Sequence, residues 1–184
     1  MALGPETKEG AALPQSKQAN SVVVVKTTLG EFEIELYGDK TPATVNNFLR
    51  YVDEGFYNGT CFHRVINDFM VQGGGFTPDM KQKSTHEPIA NEAEKGVANE
   101  RGVIAMARTM DPNSATSQFF INVVNNEFLN FQSATPRGFG YCGFGKITAG
   151  LDVLDKIKVV KTSSNSGHQD VPVTPVVIES ITRK

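Results

Sequence analysis

The feature that most restricts this chain is its punctuation: apolar or alternating runs of four to seven residues recur along it, each bounded by turn residues. Val22–Thr28 is β-branched and apolar, Leu29-Gly30 turns the chain, and Glu31–Tyr37 alternates cleanly. Phe32, Ile34 and Leu36 fall on one side of that second run and the glutamates on the other, the mark of a half-buried strand. The two runs are predicted to form an antiparallel hairpin. Further strand-like runs are Cys61–Ile66, Phe69–Gln72, Val103–Ala107, Gln118–Val123, Tyr141–Ile147 and Val176–Thr182. Asn58-Gly59, Asn67-Asp68 and Gly73-Gly74-Gly75 supply tight turns among them.

Two segments change to helical spacing. Thr41 is placed as an N-cap and Pro42 at the first helical position, where its missing N–H costs nothing. Val45, Phe48, Leu49 and Val52 then recur on one face, and Gly55 is a natural stop. A shorter helix is expected over Gly150–Ile157, with Leu151, Leu154 and Ile157 inward. The polar stretch Thr77–Asn99 reads as a surface excursion or as containing an irregular edge strand. Many short strands, few helices and no βαβ alternation predict an all-β dominated, closed antiparallel β-barrel.

At 184 residues the chain is one domain in size, with residues 21–184 as its folded part. Residues 1–20 carry no apolar core of a signal peptide and read as a disordered tail or a cloning remnant, with a processed leader as the alternative. A net charge of −2 offers no attraction for nucleic acid or an anionic membrane, and no apolar run approaches the ~20 residues that span a bilayer. Cys61 and Cys142 are too few for a disulfide framework and are expected as buried free thiols, which points to a reducing, cytoplasmic setting. Nothing suggests more than a monomer.

The common catalytic signatures are missing. Gly138–Gly143 matches GxGxxG in form, but a loop precedes it and a strand follows, whereas dinucleotide binding needs a strand before and a helix after. His63, His86 and His168 are scattered and form no metal-binding pair, and no nucleophile elbow is present. No cofactor is expected. What remains is a cation among apolar and amide side chains: Arg64, Phe69, Met70 and Gln72 lie within nine positions. Alternation places Phe62, Arg64 and Ile66 on one strand face, and Gln118 and Phe120 on one face of another.

The stretch Phe62-His63-Arg64-Val65-Ile66, then Phe69-Met70-Val71-Gln72-Gly73-Gly74, resembles the signature of the cyclophilin family. Gly102–Ala107 and Ser117–Ile121 resemble it too, in the family's order, and the likeness runs from about Val22 to Thr182. Asn125–Phe131 is most similar to the compact bacterial cytoplasmic members. The resemblance implies an eight-stranded antiparallel barrel capped by two helices and a peptidyl-prolyl cis–trans isomerase acting on proline-containing peptides and folding proteins. It implies Arg64 as the catalytic residue, with Gln72 holding it. Phe69, Met70, Phe120 and Leu129 would line the proline pocket. Ala107 and Arg108 would offer backbone contacts, Gln118 a polar contact, and Tyr141 the place where many eukaryotic relatives carry histidine. Phe128 stands where many of those relatives have tryptophan, so the indole donor for cyclosporin-type ligands is absent and weak binding is expected. Two other readings stand beside the isomerase: a non-catalytic chaperone or scaffold module that holds proline segments, and a dinucleotide enzyme resting on Gly138–Gly143.

Overall fold

The computed structural model describes residues 20–184; the reading of residues 1–20 as a tail thus lies, apart from Asn20, outside the described residues. The predicted hairpin is present as β1 (Ser21–Thr27) and β2 (Gly30–Leu36), paired from Ser21–Leu36 to Thr27–Gly30. Phe32, Ile34 and Leu36 are buried. Helix α1 (Pro42–Asp53) follows, with Val45, Phe48, Leu49 and Val52 in the core. Thr41 does not cap it by its side chain: the hydroxyl donates back to the Tyr37 carbonyl at 3.2 Å. The far end is a Schellman stop. Gly55, at φ +67°, donates to Val52 O and Phe56 donates to Tyr51 O, while the Phe56 and Tyr51 rings pack 4.7 Å apart.

The remaining strands are β3 (Arg64–Ile66), β4 (Met70–Gly73), β5 (Val103–Met106), β6 (Phe119–Asn122), β7 (Gly143–Ala149), β8 (Thr162–Asn165), β9 (His168–Pro172) and β10 (Ile178–Arg183). Eight of the ten strands form one antiparallel sheet in the order β10-β1-β2-β7-β5-β6-β4-β3. The sheet curls as expected, but full closure is an overstatement. Its edge strands β3 and β10 share no ladder. The seam is joined before both strands begin, by a bridge between Cys61 and Val177 and by Phe62 N donating to Val176 O at 3.0 Å. Cys61 N is meanwhile spent on Phe76 O, so residues 59–63 cannot extend a regular strand. For the same reason the alternation predicted from Phe62 fails. Phe62 turns into the main core beside Val65, and only Arg64 and Ile66 share the outer face.

Hairpin β8–β9 was not expected. Its strands are polar, and its turn uses Ser166 and Gly167 at φ +50° and +81°, the left-handed pair that a tight hairpin requires. Helix α2 (Leu151–Lys158) buries Val153, Leu154 and Ile157; Leu151 instead lies half-exposed over Gly102. Residues 77–99 form an excursion with no strand, pinned by the bridges Phe76–Gln82, Ile89–Ala115 and Val97–Gly143.

Phe48 of α1 anchors the main core against Tyr57, Phe119 and Phe144, with ring centroids 5.2, 5.7 and 5.3 Å away. Burying one such side chain contributes about 1.5–3 kcal/mol. Strands β4, β5 and β6 are unusual in being apolar on both faces. Val71, Ile104, Phe119 and Ile121 point into the main core, whereas Met70, Ala105 and Phe120 point outward into a second cluster with Leu129. That second cluster is the floor of the site.

Candidate active site

The register of the sheet builds the site. Arg64 pairs with Gln72, Gln72 with Phe120, and Phe120 with Ala105, one row across β3, β4, β6 and β5. Neighbours in such a row stand about 4.5–5.5 Å apart, close enough for their side chains to touch. Arg64 Nη1 donates to Gln72 Oε1 at 3.4 Å, and Gln72 Nε2 donates to Gln118 Oε1 at 3.0 Å. Gln72 therefore cannot flip without breaking both contacts. A Cβ on Gly75 would stand 2.5 Å from Gln118 Cγ, so this glycine makes the room that lets Gln118 reach Gln72.

The row overlooks a cavity of about 180 Å³. Met70, Phe120 and Leu129 form its buried floor, and Phe69, Ala107 and Tyr141 complete the apolar walls. The Phe120 and Tyr141 rings meet edge to face at 5.6 Å. Arg64 and Arg108 stand at the rim. Among the described residues no carboxylate lies within ion-pair distance of Arg64. The guanidinium is thus a cation with an amide to steady it and an apolar hollow beside it.

Nine of the eleven residues predicted for the site line this one cavity. Gln118 stands one hydrogen bond behind it. Phe128 lies outside, 66% exposed and stacked on Phe69 at 5.8 Å. Arg108 is more than a backbone contact: its side chain donates to Gly140 O, Thr109 O and Pro136 O and covers the Tyr141 ring at 4.6 Å. Three buried asparagines behind the pocket, Asn99, Asn122 and Asn126, were missed. Asn122 alone left a trace, a polar residue two places after Phe120 in an apolar strand.

Neither cysteine is poised as a nucleophile. Burial pushes the Cys61 thiol up to about 11 and the Cys142 thiol up to about 12, so both stay protonated at neutral pH. Among the described residues no three His, Cys, Asp or Glu side chains converge as a metal site. Gly138–Gly143 runs from loop into β7 with no helix after it, and Gly140 serves a tight approach to the Asn130 backbone.

His63, far from His168 in sequence, comes to 6.4 Å from its ring and 4.5 Å from that of Phe76. It is buried, and among the described residues its Nδ1 has no partner. Burial pushes the imidazole down to about 4, and positive charge on His168 and Arg64 adds to the effect. Above the ordinary value of 6.5 the ring is neutral in folded and unfolded chains alike, so it leaves stability untouched. Below it the unfolded chain takes the proton first, and stability drains until the folded ring is protonated near pH 4. The full loss is about 3 kcal/mol. Urea unfolding at pH 7 and pH 4.5 should show a smaller drop in midpoint for His63→Gln than for the parent. Equal drops would remove His63 from the acid response.

A protein-family model, cyclophilin type peptidyl-prolyl cis-trans isomerase/CLD, matches residues 22–183. The chain belongs to the cyclophilin family. Among its relatives, peptidyl-prolyl cis-trans isomerase cyp18 of Streptomyces antibioticus is 61% identical, over 87% of this chain and 96% of its own. Peptidyl-prolyl cis-trans isomerase B of Escherichia coli K12 is 58% identical, over 88% of this chain and 98% of its own. The crystal structure of a Cryptosporidium parvum cyclophilin superposes with a TM-score of 0.72 at 26% identity, covering 90% of this chain and 98% of that one. The same cyclophilin in the presence of the dipeptide Ala-Pro gives 0.71. As a cyclophilin the chain is a peptidyl-prolyl cis–trans isomerase, and the scaffold-only and dinucleotide readings fall away.

Proposed function

We propose that this cyclophilin turns X–Pro bonds by using Arg64 as a hydrogen-bond donor to the imide nitrogen of the twisted transition state, over a pocket that takes the proline ring. The supporting observation is the Arg64–Gln72–Phe120 row: a steadied guanidinium, free of carboxylates among the described residues, beside an apolar floor. Peptide-bond rotation faces a barrier of ~18–20 kcal/mol because planarity preserves resonance. At X–Pro the exchange still takes tens to hundreds of seconds. No bond to carbon breaks and no proton need move.

When the amide twists, conjugation is lost and a lone pair localises on nitrogen. Only then can a guanidinium N–H donate to it, so Arg64 binds the transition state better than either planar isomer. Raising ~10⁻² s⁻¹ to an ordinary ~10²–10³ s⁻¹ takes roughly 5–7 kcal/mol. A charge-assisted hydrogen bond contributes about 1.5–3 kcal/mol, so Arg64 is insufficient alone. The apolar floor supplies a second part, because the planar amide carries more charge separation than the twisted one and loses more on leaving water.

Proline-containing peptides and folding proteins are the substrates in this reading, in line with the crystallisation of a relative in the presence of the dipeptide Ala-Pro. Two buried free thiols suit a reducing cytoplasm, and the reading is of a monomer with no nucleic-acid or membrane partner. Among the described residues no helix is long and apolar enough to cross a membrane. Acceleration of cis–trans exchange in an Ala-Pro tetrapeptide, lost in Arg64→Ala, tests the mechanism; binding without acceleration would contradict it.

Cyclosporin-type ligands should bind weakly. Phe128 offers no N–H, and it stands exposed beside the pocket, stacked on Phe69. Phe128→Trp is expected to tighten cyclosporin binding about tenfold, as one hydrogen bond of ~1 kcal/mol or more would, with kcat/KM within twofold of the parent. Calorimetric titration of both proteins decides it, and equal affinities would count against the role of position 128.

A further inference from the structure

Three asparagines are buried behind the pocket: Asn99, Asn122 and Asn126 are 1%, 0% and 3% exposed. Their side chains are joined head to tail. Asn126 Nδ2 donates to Asn122 Oδ1 at 2.8 Å, and Asn122 Nδ2 donates to Asn99 Oδ1 at 3.0 Å. Each end of this chain of amides grips the main chain of a pocket wall. Asn126 Nδ2 also donates to Phe69 O at 2.9 Å, while Asn99 Nδ2 donates to Leu129 O at 3.2 Å and Tyr141 O at 3.1 Å. The middle amide reaches a further strand, with Asn122 Nδ2 donating to Val103 O at 3.1 Å. Among the described residues none of these buried amide atoms lacks a partner.

Phe69, Leu129 and Tyr141 come from three separate segments: the turn before β4, the 3₁₀ turn Glu127–Leu129, and the loop before β7. Tyr141 N donates to Leu129 O at 2.9 Å, which makes those two one wall, and Val123 N donates to Phe69 O at 3.1 Å. Among the described residues no main-chain hydrogen bond joins Phe69 to Leu129 or Tyr141, and the amide side chains span that gap. Amides aligned head to tail polarise one another, and in a dry interior each bond strengthens the next. Side chain to side chain bonds are also the least common kind in proteins, so two in series, both buried, are a specialised arrangement.

We infer that Asn99, Asn122 and Asn126 are positioning residues for isomerisation: one polarised amide chain sets the distance between the Phe69 wall and the Leu129–Tyr141 wall of the proline pocket. The inference rests on the assignment of that pocket to substrate. The amides touch no substrate. They act by holding the walls at the width that fits the ring while its bond twists, where small displacements cost rate more than they cost affinity.

The test is peptide isomerisation by Asn126→Ala and Asn122→Ser at a temperature where both are folded, with Val153→Ala as a control. Val153 is buried beneath α2 against Gly30, and its truncation lowers stability without loosening the amide chain. The expected result is a loss of about fivefold or more in kcat for both asparagine variants, a KM within twofold of the parent, and an unchanged kcat for Val153→Ala. Asn122→Asp adds a signature that lost volume cannot imitate. Its neutral acid can still accept from Asn126 and donate to Asn99, whereas its carboxylate cannot donate. Activity should therefore fall as pH rises through the raised pKa of the buried acid, a limb that the parent lacks. Asparagine variants within twofold of the parent, with no such limb, would overturn the inference. Should the variants not fold, side-chain amide NMR of the unmodified protein decides. Shifts of the three Nδ2 groups on saturation with an Ala-Pro peptide, with Asn165 on β8 still, support it, and their silence overturns it. Arg64→Ala in the same assay separates the two claims: if it keeps full turnover the pocket assignment fails, and if only the asparagine variants do, the positioning role alone fails.

Discussion

Phe120→Ala should cost both stability and turnover. Phe120 is 4% exposed, stands in the row between Gln72 and Ala105, and carries the Tyr141 ring on its edge. Truncating a buried phenylalanine costs about 3–5 kcal/mol, part of it from the void left behind. Here the void opens into the pocket, where water can enter and solvate the planar amide. Turnover is expected to fall at least about tenfold in the folded variant, read as kcat/KM against a proline tetrapeptide well below its melting temperature. The milder Phe120→Leu should fall between the two. Because Arg64 needs a dry surrounding to act strongly, removing it from Phe120→Ala should cost less than removing it from the parent. Coupled residues show such shortfalls at about 0.5–3 kcal/mol. A Phe120→Ala protein that folds and turns over normally would overturn the partnership of cation and floor.

Arg64→Ala is expected to lower kcat/KM by roughly 10- to 150-fold, the equivalent of losing one charge-assisted hydrogen bond. Its effect on stability should be small, because Arg64 is exposed and its one side-chain hydrogen bond among the described residues, to Gln72, is long at 3.4 Å. Arg64→Lys should rescue little. An ammonium on a flexible stem restores charge but not the planar fork that Gln72 steadies. Gln72→Ala should give a smaller loss of the same kind, since it frees Arg64 to wander and leaves Gln118 unpaired. These losses are read in the same exchange assay, with circular dichroism confirming the fold. Full rescue by lysine would mean that charge alone, without directed donation, explains the site.

How much of this was legible in the sequence varied with the kind of force involved. Hairpin β1–β2 and helix α1 were legible because one-sided burial writes a period into the residues. The pocket was legible only through the resemblance to the family signature, which supplied Phe69, Met70, Phe120 and Leu129; the two-sided apolar character of β4, β5 and β6 that underlies it emerged with the fold. Hairpin β8–β9 was hidden because its strands are polar and stand on turn geometry rather than burial. Phe62 and Leu151 were misplaced where the backbone departs from ideal periodicity, at the seam of the sheet and in the first turn of α2. Thr41 had a capping residue's chemistry but found a nearer acceptor in Tyr37 O. Phe128 and the Arg108 side chain could not be placed from local pattern, since each is held by a tertiary partner, Phe69 and Tyr141. The asparagine chain is the extreme case. It joins Asn99 to Asn122 across 23 positions by hydrogen bonds that leave no periodic trace.

The measurement closest to the central claim is NMR exchange spectroscopy of a proline peptide at saturation, on the parent and on Arg64→Ala, with affinity measured alongside. If Arg64 donates only to the twisted amide, exchange on the enzyme slows by roughly 10- to 150-fold. The dissociation constant then changes less than about threefold, because neither planar isomer uses that bond. Unchanged exchange, or a loss of affinity in proportion to the loss of rate, would contradict it.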